Sequence, residues 1–244
     1  MRLTQNGPLY QLSFLPNAFP VNCYLVEEEN ELTLIDAALP YSHKAILQAA
    51  SAIGKPITRI VLTHAHGDHV GSLDVLKQAL PEAKVYISKR DARLMEYDLS
   101  LDENEPQTPI KGGVPKTLQT RPDILLQDGD TIGSLTAIAA PGHTPGLMAF
   151  LDERNHFLIA GDAMQTRGGI AVSGKMILSF PFPAFATWNF AVAIESARKL
   201  VQVNPKLLTV GHGKMVVDPI AQMKTAISVA EKSLEASKNG KKGN

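Results

Sequence analysis

The sequence has little cysteine, no net charge and no long apolar run. Cys23 is the only cysteine among 244 residues, so no internal disulfide forms and inert packing is expected for its thiol. Lys and Arg total 24, as do Asp and Glu, which gives no broad attraction to nucleic acid or an anionic membrane. No window approaches the roughly eighteen apolar residues of a membrane span. Asn6, Gly7 and Pro8 interrupt any N-terminal apolar segment. We expect no secretory signal, a cytoplasmic location, and neither nucleic acid nor membrane as partner.

The composition is that of an ordinary globular domain, with 44% hydrophobic and 20% charged residues. This length suits one sizeable domain. We predict a single domain over residues 1–237 and a flexible tail over 238–244. The segment 90–122 is rich in Pro, Gly and acidic residues, and we predict an insertion that covers the functional site. A solvated loop is the alternative interpretation.

Strands and helices alternate along the chain in two halves. Periodicity predicts strands over 9–15, 21–26, 32–35, 59–62, 84–87, 124–126, 135–139, 147–151, 156–159 and 207–210. It predicts helices over 42–52, 70–80, 92–97, 188–201 and 219–236. Two sheets packed between layers of helices are the natural solution for this order of elements.

Four potential metal ligands lie within six residues of the segment THAHGDHVG, which follows a predicted strand and precedes a predicted helix. In extended backbone His64 and His66 point to the same side, because side chains alternate with period two. Gly67 then lets the backbone turn, which directs Asp68 and His69 to a second position. The segment is therefore expected to supply two ligands to each of two adjacent metal ions.

Three more ligand candidates lie at strand-to-loop junctions: His143 in APGHTPG, Asp162 in LIAGDAM and His212 in VGHG. Together with THAHGDHVG, these motifs contain five of the seven histidines. We interpret the other two, His43 and His156, as ordinary surface or packing residues. Zinc favours imidazole nitrogen and carboxylate oxygen, although such sites also accept iron, manganese or cobalt. The sequence predicts two divalent ions, with zinc as the first choice and iron or manganese as alternatives.

This ordered set resembles the metallo-β-lactamase-fold superfamily, through the run HxHxDH followed by separate His, Asp and His. The resemblance spans about residues 9–212. It implies an α/β protein with a four-layer αββα sandwich and the site at one edge. It implies that Asp162 bridges two metals, and that Asp36, at the end of an early strand, orients a ligand imidazole. A turn-forming role for Asp36 is the alternative. The implied ligands are His64, His66 and His143 for the first metal, and Asp68, His69 and His212 for the second.

Departures from individual branches of this superfamily narrow the expected activity. Secreted zinc β-lactamases place cysteine where this chain has Asp162, and flavodiiron proteins place glutamate where it has His66. What remains resembles glyoxalase II and lactonases, which hydrolyse acyl bonds. Only one predicted helix follows His212, which disfavours a glutathione thioester. Gln165 stands where N-acyl homoserine lactonases carry tyrosine, so the oxyanion partner is unassigned.

We therefore predict a metal-dependent hydrolase that cleaves an ester, lactone or thioester bond of a small acyl substrate. A metal-bridged hydroxide, oriented by Asp68, is the expected nucleophile. The alternatives are a mononuclear iron persulfide dioxygenase, an N-acyl homoserine lactonase specifically, and a non-catalytic binding module.

Six side chains of the irregular segment before the helix at 188–201 are predicted to wall a pocket for the acyl chain: Met164, Gln165, Phe180, Phe182, Phe185 and Trp188. The alternative interpretation places them in the core or at the contact between two copies of a homodimer.

Overall fold

The computed structural model, which describes residues 1–242, contains two large sheets. The first sheet has seven strands in chain order: β1 (Arg2–Asn6), β2 (Leu9–Phe14), β3 (Val21–Glu27), β4 (Leu32–Ile35), β5 (Ile57–Val61), β6 (Lys84–Ser88) and β7 (Ile124–Leu126). Neighbours are antiparallel from β1 to β4 and parallel from β4 to β7.

The second sheet has six strands: β8 (Thr131–Ile132), β9 (Leu135–Ala139), β10 (Met148–Asp152), β11 (Phe157–Ile159), β14 (Leu207–Thr209) and β15 (Val216–Val217), with β15 at one edge and β8 at the other. Strands β11 and β14 are parallel neighbours, and the other pairs are antiparallel. A small separate ribbon joins β12 (Met164–Gln165) to β13 (Ala171–Val172).

Helices cover the outer face of each sheet. The first sheet packs against α1 (His43–Ile53), α3 (Leu73–Ala79) and α4 (Lys89–Met95), while the short α2 (Gly67–Val70) lies at the ends of its inner strands. The second sheet packs against α6 (Phe190–Gln202) and α7 (Ile220–Lys242), and the short α5 (Phe182–Ala186) precedes α6. None of the described helices is long and apolar enough to cross a membrane.

The alternation of side chains along the buried strands explains this layering. In β3, Cys23 and Leu25 face the helices, whereas Tyr24 and Val26 face the second sheet. In β10, Phe150 points back toward the first sheet. A strand that is buried on both faces needs apolar side chains at successive positions, because these point to opposite faces of the sheet. The predicted four-layer αββα sandwich is therefore confirmed.

The predicted elements differ from the structure at several points, and three of these differences have a clear physical reason. The single helix predicted over 70–80 is divided into α2 and α3, because Gly71 packs against the backbone of Ala38, where an added Cβ would lie 2.6 Å from its carbonyl oxygen. Strand β1 was missed because it is an exposed polar edge strand without apolar alternation. Helix α7 extends through residues 238–242 of the predicted tail, whose sequence lacks proline, and residues 243–244 lie outside the described part of the chain.

Candidate metal centre

Strand direction brings the predicted ligands to one edge of the sandwich. Because β4 and β5 are parallel, Asp36 and His64, which follow them, lie at the same end of the first sheet. Because β11 and β14 are parallel, Asp162 and His212 lie together at the end of the second. Residues distant in the chain thus meet where neighbouring strands end, on rigid supports.

The seven predicted ligands form three overlapping groups, and within each group the ligand atoms lie within 4.8 Å of one another. One group joins His64, His66 and His143, whose Nε2 lies 3.0 Å from His66 Nδ1. The second joins Asp68, His69 and His212, and the third joins His64 and His69 to Asp162. The structure therefore brings all seven residues together.

Asp162 lies between the two ligand sets. Its Oδ2 is 3.4 Å from His143 Nε2 and 3.1 Å from His212 Nε2, while its Oδ1 is 3.5 Å from His69 Nε2. On the open side of the centre, Asp68 Oδ2 lies 3.4 Å from His212 Nε2. The carboxylate of Asp162 thus lies within 3.5 Å of imidazoles from both predicted ligand sets.

Hydroxyl groups hold the outward nitrogens of two imidazoles. Thr63 Oγ1 donates to Asp36 at 2.8 Å, so its oxygen is left to accept from His64 Nδ1 at 3.0 Å. Thr187 Oγ1 donates to a backbone carbonyl at 2.6 Å and lies 3.2 Å from His143 Nδ1. In both cases Nδ1 carries the proton and Nε2 turns its lone pair toward the centre.

Backbone carbonyls hold two further imidazoles. His66 Nε2 donates to Lys111 O at 2.9 Å, which leaves Nδ1 for the centre. His212 Nδ1 donates to Pro20 O at 2.7 Å, which leaves Nε2. Lys111 belongs to the segment 90–122, so this predicted insertion reaches the site through its backbone.

Asp36 holds the remaining imidazole. Its Oδ2 accepts from His69 Nδ1 at 2.7 Å, and Oδ1 accepts from the backbone of Thr63 at 2.8 Å. The residue therefore orients the imidazole of His69, a predicted ligand, and also fixes the strand end that carries His64. Such outer hydrogen bonds fix the tautomer of a metal-binding histidine.

The inward atoms fit divalent metal ions. Among the described residues, the buried atoms His64 Nε2, His69 Nε2 and Asp162 Oδ1 have no hydrogen-bond partner. Buried polar groups without partners are costly, and an ion would satisfy all three. Five imidazoles with two carboxylates form a donor set that suits zinc or iron.

Electrostatics divides the imidazoles into two classes. Burial lowers the pKa of His64 well below its usual range, lowers that of His66, and lowers the pKa of His143 to about 3. Burial also acts on His69 and His212, but the facing carboxylates, Asp162 first, more than offset it and raise both pKa values. His64, His66 and His143 therefore favour the neutral form, whereas His69 and His212 hold a proton more readily than a free imidazole, so a cation competes with protons at these two residues.

Two glycines make room for this arrangement. A Cβ at Gly211 would lie 2.0 Å from Asp162 Oδ1, and a Cβ at Gly112 would lie 2.3 Å from His66 Nε2. Gly112 also has φ of +90°, a conformation that L side chains rarely adopt. Close approach of backbone to the ligands thus requires glycine at both positions.

Asp91 connects two of the loops that carry the predicted ligands, and sequence reasoning missed it. This fully buried carboxylate of α4 accepts from Ala65 N at 3.2 Å, Thr144 Oγ1 at 2.7 Å and Gly146 N at 2.7 Å. It joins the loop of His64 and His66 to the loop of His143. Its only sequence signal is an acidic residue in the first turn of a helix, which is too common to indicate such a role.

A cavity of about 290 Å³ opens onto the ligand cluster. Its wall includes Asp68 together with Phe19, Phe182 and Phe185, as well as the backbone of Gly112. Phe182 and Phe185, which were predicted to wall an acyl pocket, both line this cavity. Phe19 was missed, since the sequence gives no indication that the loop after β2 reaches this site.

The other four predicted pocket residues do not line this cavity. Met164 is fully buried in the core between the second sheet and its helices, and Gln165 beside it is 1% exposed. Phe180 is buried behind the wall, with its ring centroid 5.3 Å from that of Phe182. Trp188 is buried and donates from Nε1 to Thr108 O at 2.7 Å. Apolar character alone does not separate a wall residue from the core behind it.

Comparisons with known proteins agree with this geometry. A family model described as the metallo-beta-lactamase superfamily matches residues 16–212. YobT of Bacillus subtilis (strain 168), an uncharacterized protein, is 62% identical over 95% of this chain and 100% of its own length. YflN of the same organism, a probable metallo-hydrolase, is 30% identical over 79% of this chain and 80% of its own length.

Two further matches are a solved structure that contains metal and a curated enzyme. The crystal structure of TTHA1623 in a di-iron-bound form is 27% identical, with a TM-score of 0.61 over 86% of this chain and 95% of that one. Human mitochondrial persulfide dioxygenase ETHE1 is 28% identical over 61% of this chain and 51% of its own length.

Proposed function

Because this chain belongs to the metallo-beta-lactamase superfamily, we propose that it is a hydrolase that holds two divalent metal ions and cleaves an ester, lactone or thioester bond. The observation that carries the proposal is the convergence of five imidazoles and two carboxylates, in which each imidazole is fixed by an outward hydrogen bond. Pre-arranged ligands of this kind are what hydrolytic metal sites require.

The ligand sets divide as their positions suggest. His64, His66 and His143 would hold the first ion, while Asp68, His69 and His212 would hold the second. Asp162 would bridge the two. When bound, the ions would lower the pKa of a water toward about 7 and polarise the carbonyl of the substrate.

Asp68 is the residue that we assign to proton handling. Its side chain is 28% exposed and lines the cavity, whereas that of Asp162 is 4% exposed. Burial opposes ionisation of Asp68, but His69 and His212 more than offset it and lower the pKa of this carboxyl. The carboxylate is therefore ionised at neutral pH, and its oxygens accept a hydrogen bond from the attacking water. As the water adds to the carbonyl carbon, Asp68 would take a proton from it, and it would pass that proton to the leaving group when the bond between the carbonyl carbon and the leaving atom breaks.

The cavity supports an uncharged apolar acyl substrate. Outside the ligand cluster, the wall consists of the phenyl rings of Phe19, Phe182 and Phe185 together with small or apolar residues: Gly112, Gly113, Pro183 and Ala186. Among the described residues no Lys or Arg side chain lines it, so a glutathione thioester finds no basic side chain there for its carboxylates. An acyl chain would instead bury its methylene groups against the rings.

The test is hydrolysis by metal-loaded protein. Zinc-, iron- and manganese-loaded samples are assayed with p-nitrophenyl esters of rising chain length, aliphatic lactones, N-acyl homoserine lactones and thioesters. Replacing His66 or Asp162 by Ala is expected to lower both activity and metal content by orders of magnitude. His156→Asn is the matched control, because this exposed histidine lies outside the cluster and Asn tolerates its φ of +55°. Full activity in metal-stripped protein would refute the proposal.

A second candidate is a persulfide dioxygenase with one iron ion. Its support is the similarity to ETHE1 over 158 residues. Metal analysis together with oxygen consumption on glutathione persulfide separates the two activities. Oxygen uptake with one iron per chain and no ester hydrolysis would favour the dioxygenase.

A further inference from the structure

A second cavity, of about 550 Å³, lies on the far side of the loop that carries His212. Its floor is one face of the β1–β2 hairpin, where Arg2 pairs with Ser13 and Thr4 pairs with Gln11 in the antiparallel register. Side chains two residues apart on one strand share a face of the sheet, and so do side chains directly opposite each other on paired strands. These four side chains therefore point into one space. The opposite wall includes Arg167 and Lys214. We refer to this cavity as the arginine cleft.

The arginines of this protein show why the cleft is unusual. The sequence contains eight arginines, and six of them form ion pairs with carboxylates: Arg59, Arg90, Arg93, Arg121, Arg154 and Arg198. The other two, Arg2 and Arg167, have no carboxylate within ion-pair distance among residues 1–242, and both line the arginine cleft. No Asp or Glu of the described chain lines it.

Both guanidinium groups are held in place by the same residue. Arg2 Nη2 donates to Asn17 Oδ1 at 3.1 Å, and Arg167 Nη2 donates to Asn17 O at 2.8 Å. One nitrogen of each fork is thus used for positioning. The remaining N–H groups have no acceptor elsewhere in the described protein. Two guanidinium groups that line one cavity, with Lys214 lining it as well, supply the charge and the N–H donors that an oxyanion accepts.

A buried amide beneath the cations adds an independent indication. Gln11 lines the cleft and is 5% exposed, and its Nε2 donates to Asn22 Oδ1 at 3.1 Å and Gly213 O at 3.0 Å. Its Oε1 is buried without a partner in the part of the chain that the structure describes. An unpaired buried acceptor is costly, and a ligand that also carries a hydroxyl or amide donor would satisfy it.

We propose that the arginine cleft is a binding site for a small molecule that carries a phosphate or carboxylate group. The site is separate from the metal centre, although Gly213 and Pro20 form part of its wall and adjoin His212. The anion would lie between Arg2 and Arg167, with Lys214 contributing a third positive charge. This inference does not depend on the hydrolase proposal, since it uses none of the metal ligands.

The test is a nuclear magnetic resonance titration of metal-loaded, ¹⁵N-labelled protein with inorganic phosphate and, in a second arm, with succinate, at constant ionic strength. The amides of Gly168 and Gly213 line the cleft and report on it, whereas Gly112 and Gly113 line the catalytic cavity. We expect saturable shifts at the first pair in at least one arm. A preference for phosphate or for succinate identifies the charged group of the natural ligand.

Matched variants separate a built site from general attraction. Arg167→Gln and Arg2→Gln are each expected to weaken binding by about tenfold or more, because each removes a charge-assisted hydrogen bond. Arg121→Gln removes the same charge just before β7, at the opposite edge of the first sheet from β1, and should leave the affinity unchanged. Equal affinity in Arg167→Gln and Arg121→Gln would overturn the proposal. Shifts without saturation in both arms, or shifts confined to Gly112 and Gly113, would also overturn it.

Discussion

Replacing Thr144 by Val tests whether the buried carboxylate of Asp91 positions the metal ligands. The Thr144 hydroxyl donates to Asp91 Oδ2 at 2.7 Å, and both residues are fully buried. Val keeps the shape and removes only that donor. Because a hydrogen bond to a buried charge is lost, we expect the free energy of unfolding to fall by roughly 1.5–3 kcal/mol. Urea denaturation of metal-free protein measures this change.

The chain offers a matched control in Thr33→Val. Thr33 is also fully buried, but its Oγ1 has no hydrogen-bond partner among the described residues. The same change in shape and polarity should therefore leave the free energy of unfolding near that of the wild type. If the two variants lose equal stability, the hydrogen bond to Asp91 has no special role.

The effect of Thr144→Val should also depend on pH. Burial raises the pKa of Asp91 to about 6, from an ordinary value of 3.8. The folded state thus binds a proton more tightly than the unfolded state, and this contribution to stability is lost as pH rises through that window. The variant leaves the ionised form with one donor fewer. The loss in the free energy of unfolding, relative to wild type, should therefore be larger at a pH of about 8 than at a pH of about 5.

Metal affinity provides the functional measure for the same variant. Asp91 ties the loop of His64 and His66 to that of His143 through Ala65 and Gly146. Thr144 follows His143 directly, so loss of its hydrogen bond to Asp91 loosens the loop of one predicted ligand. Loss of the hydrogen bonds that ligands themselves make lowers affinity by about 10–100-fold, and we expect a loss of at most that size here. Competition with a chelator should therefore show weaker metal binding in Thr144→Val and unchanged binding in the Thr33 control. Unchanged binding in both variants would refute the positioning role.

Three further predictions concern the centre and its cavity. At neutral pH, binding of metal should release protons from His69 and His212, because facing carboxylates raise the pKa of both residues despite burial. Metal affinity should therefore rise with pH. Calorimetry in buffers of different ionisation enthalpy measures this release, and a result of no released protons would contradict the prediction. Phe185 lines the cavity and is 63% exposed, so Phe185→Ser should raise KM for long-chain esters several-fold with little change in stability. Leu178 is 91% exposed and lies outside the cavity, so Leu178→Ser should leave this KM unchanged. Gly211→Ala places a methyl group 2.0 Å from Asp162 Oδ1, so metal content should fall sharply. Full metal content by mass spectrometry would count against a bridging role for Asp162.

Much of the fold was predictable because its signals are local. Period-two alternation and apolar runs indicated β3, β5 and β10, and glycine marked the end of α1. The ligands were predictable for a related reason: His64, Asp162 and His212 each follow a short apolar strand, where side chains at strand ends gather.

What could not be predicted depends on contacts between distant segments. The carbonyls of Lys111 and Pro20 fix two imidazoles, yet every residue has a carbonyl and no sequence pattern marks these two. Met164 and Phe185 are both apolar, but one lies in the core and the other at the cavity mouth. The arginine cleft likewise depends on ion pairs that Arg2 and Arg167 lack, which only the folded chain reveals.

The most direct test of the central claim is anomalous X-ray diffraction from crystals of zinc-loaded protein. The account predicts two ions at the edge of the sandwich, one within bonding distance of His64, His66 and His143. The other should lie within bonding distance of Asp68, His69 and His212, with Asp162 between the ions. Ions bound only elsewhere, or a cluster that stays empty at saturating zinc, would contradict it.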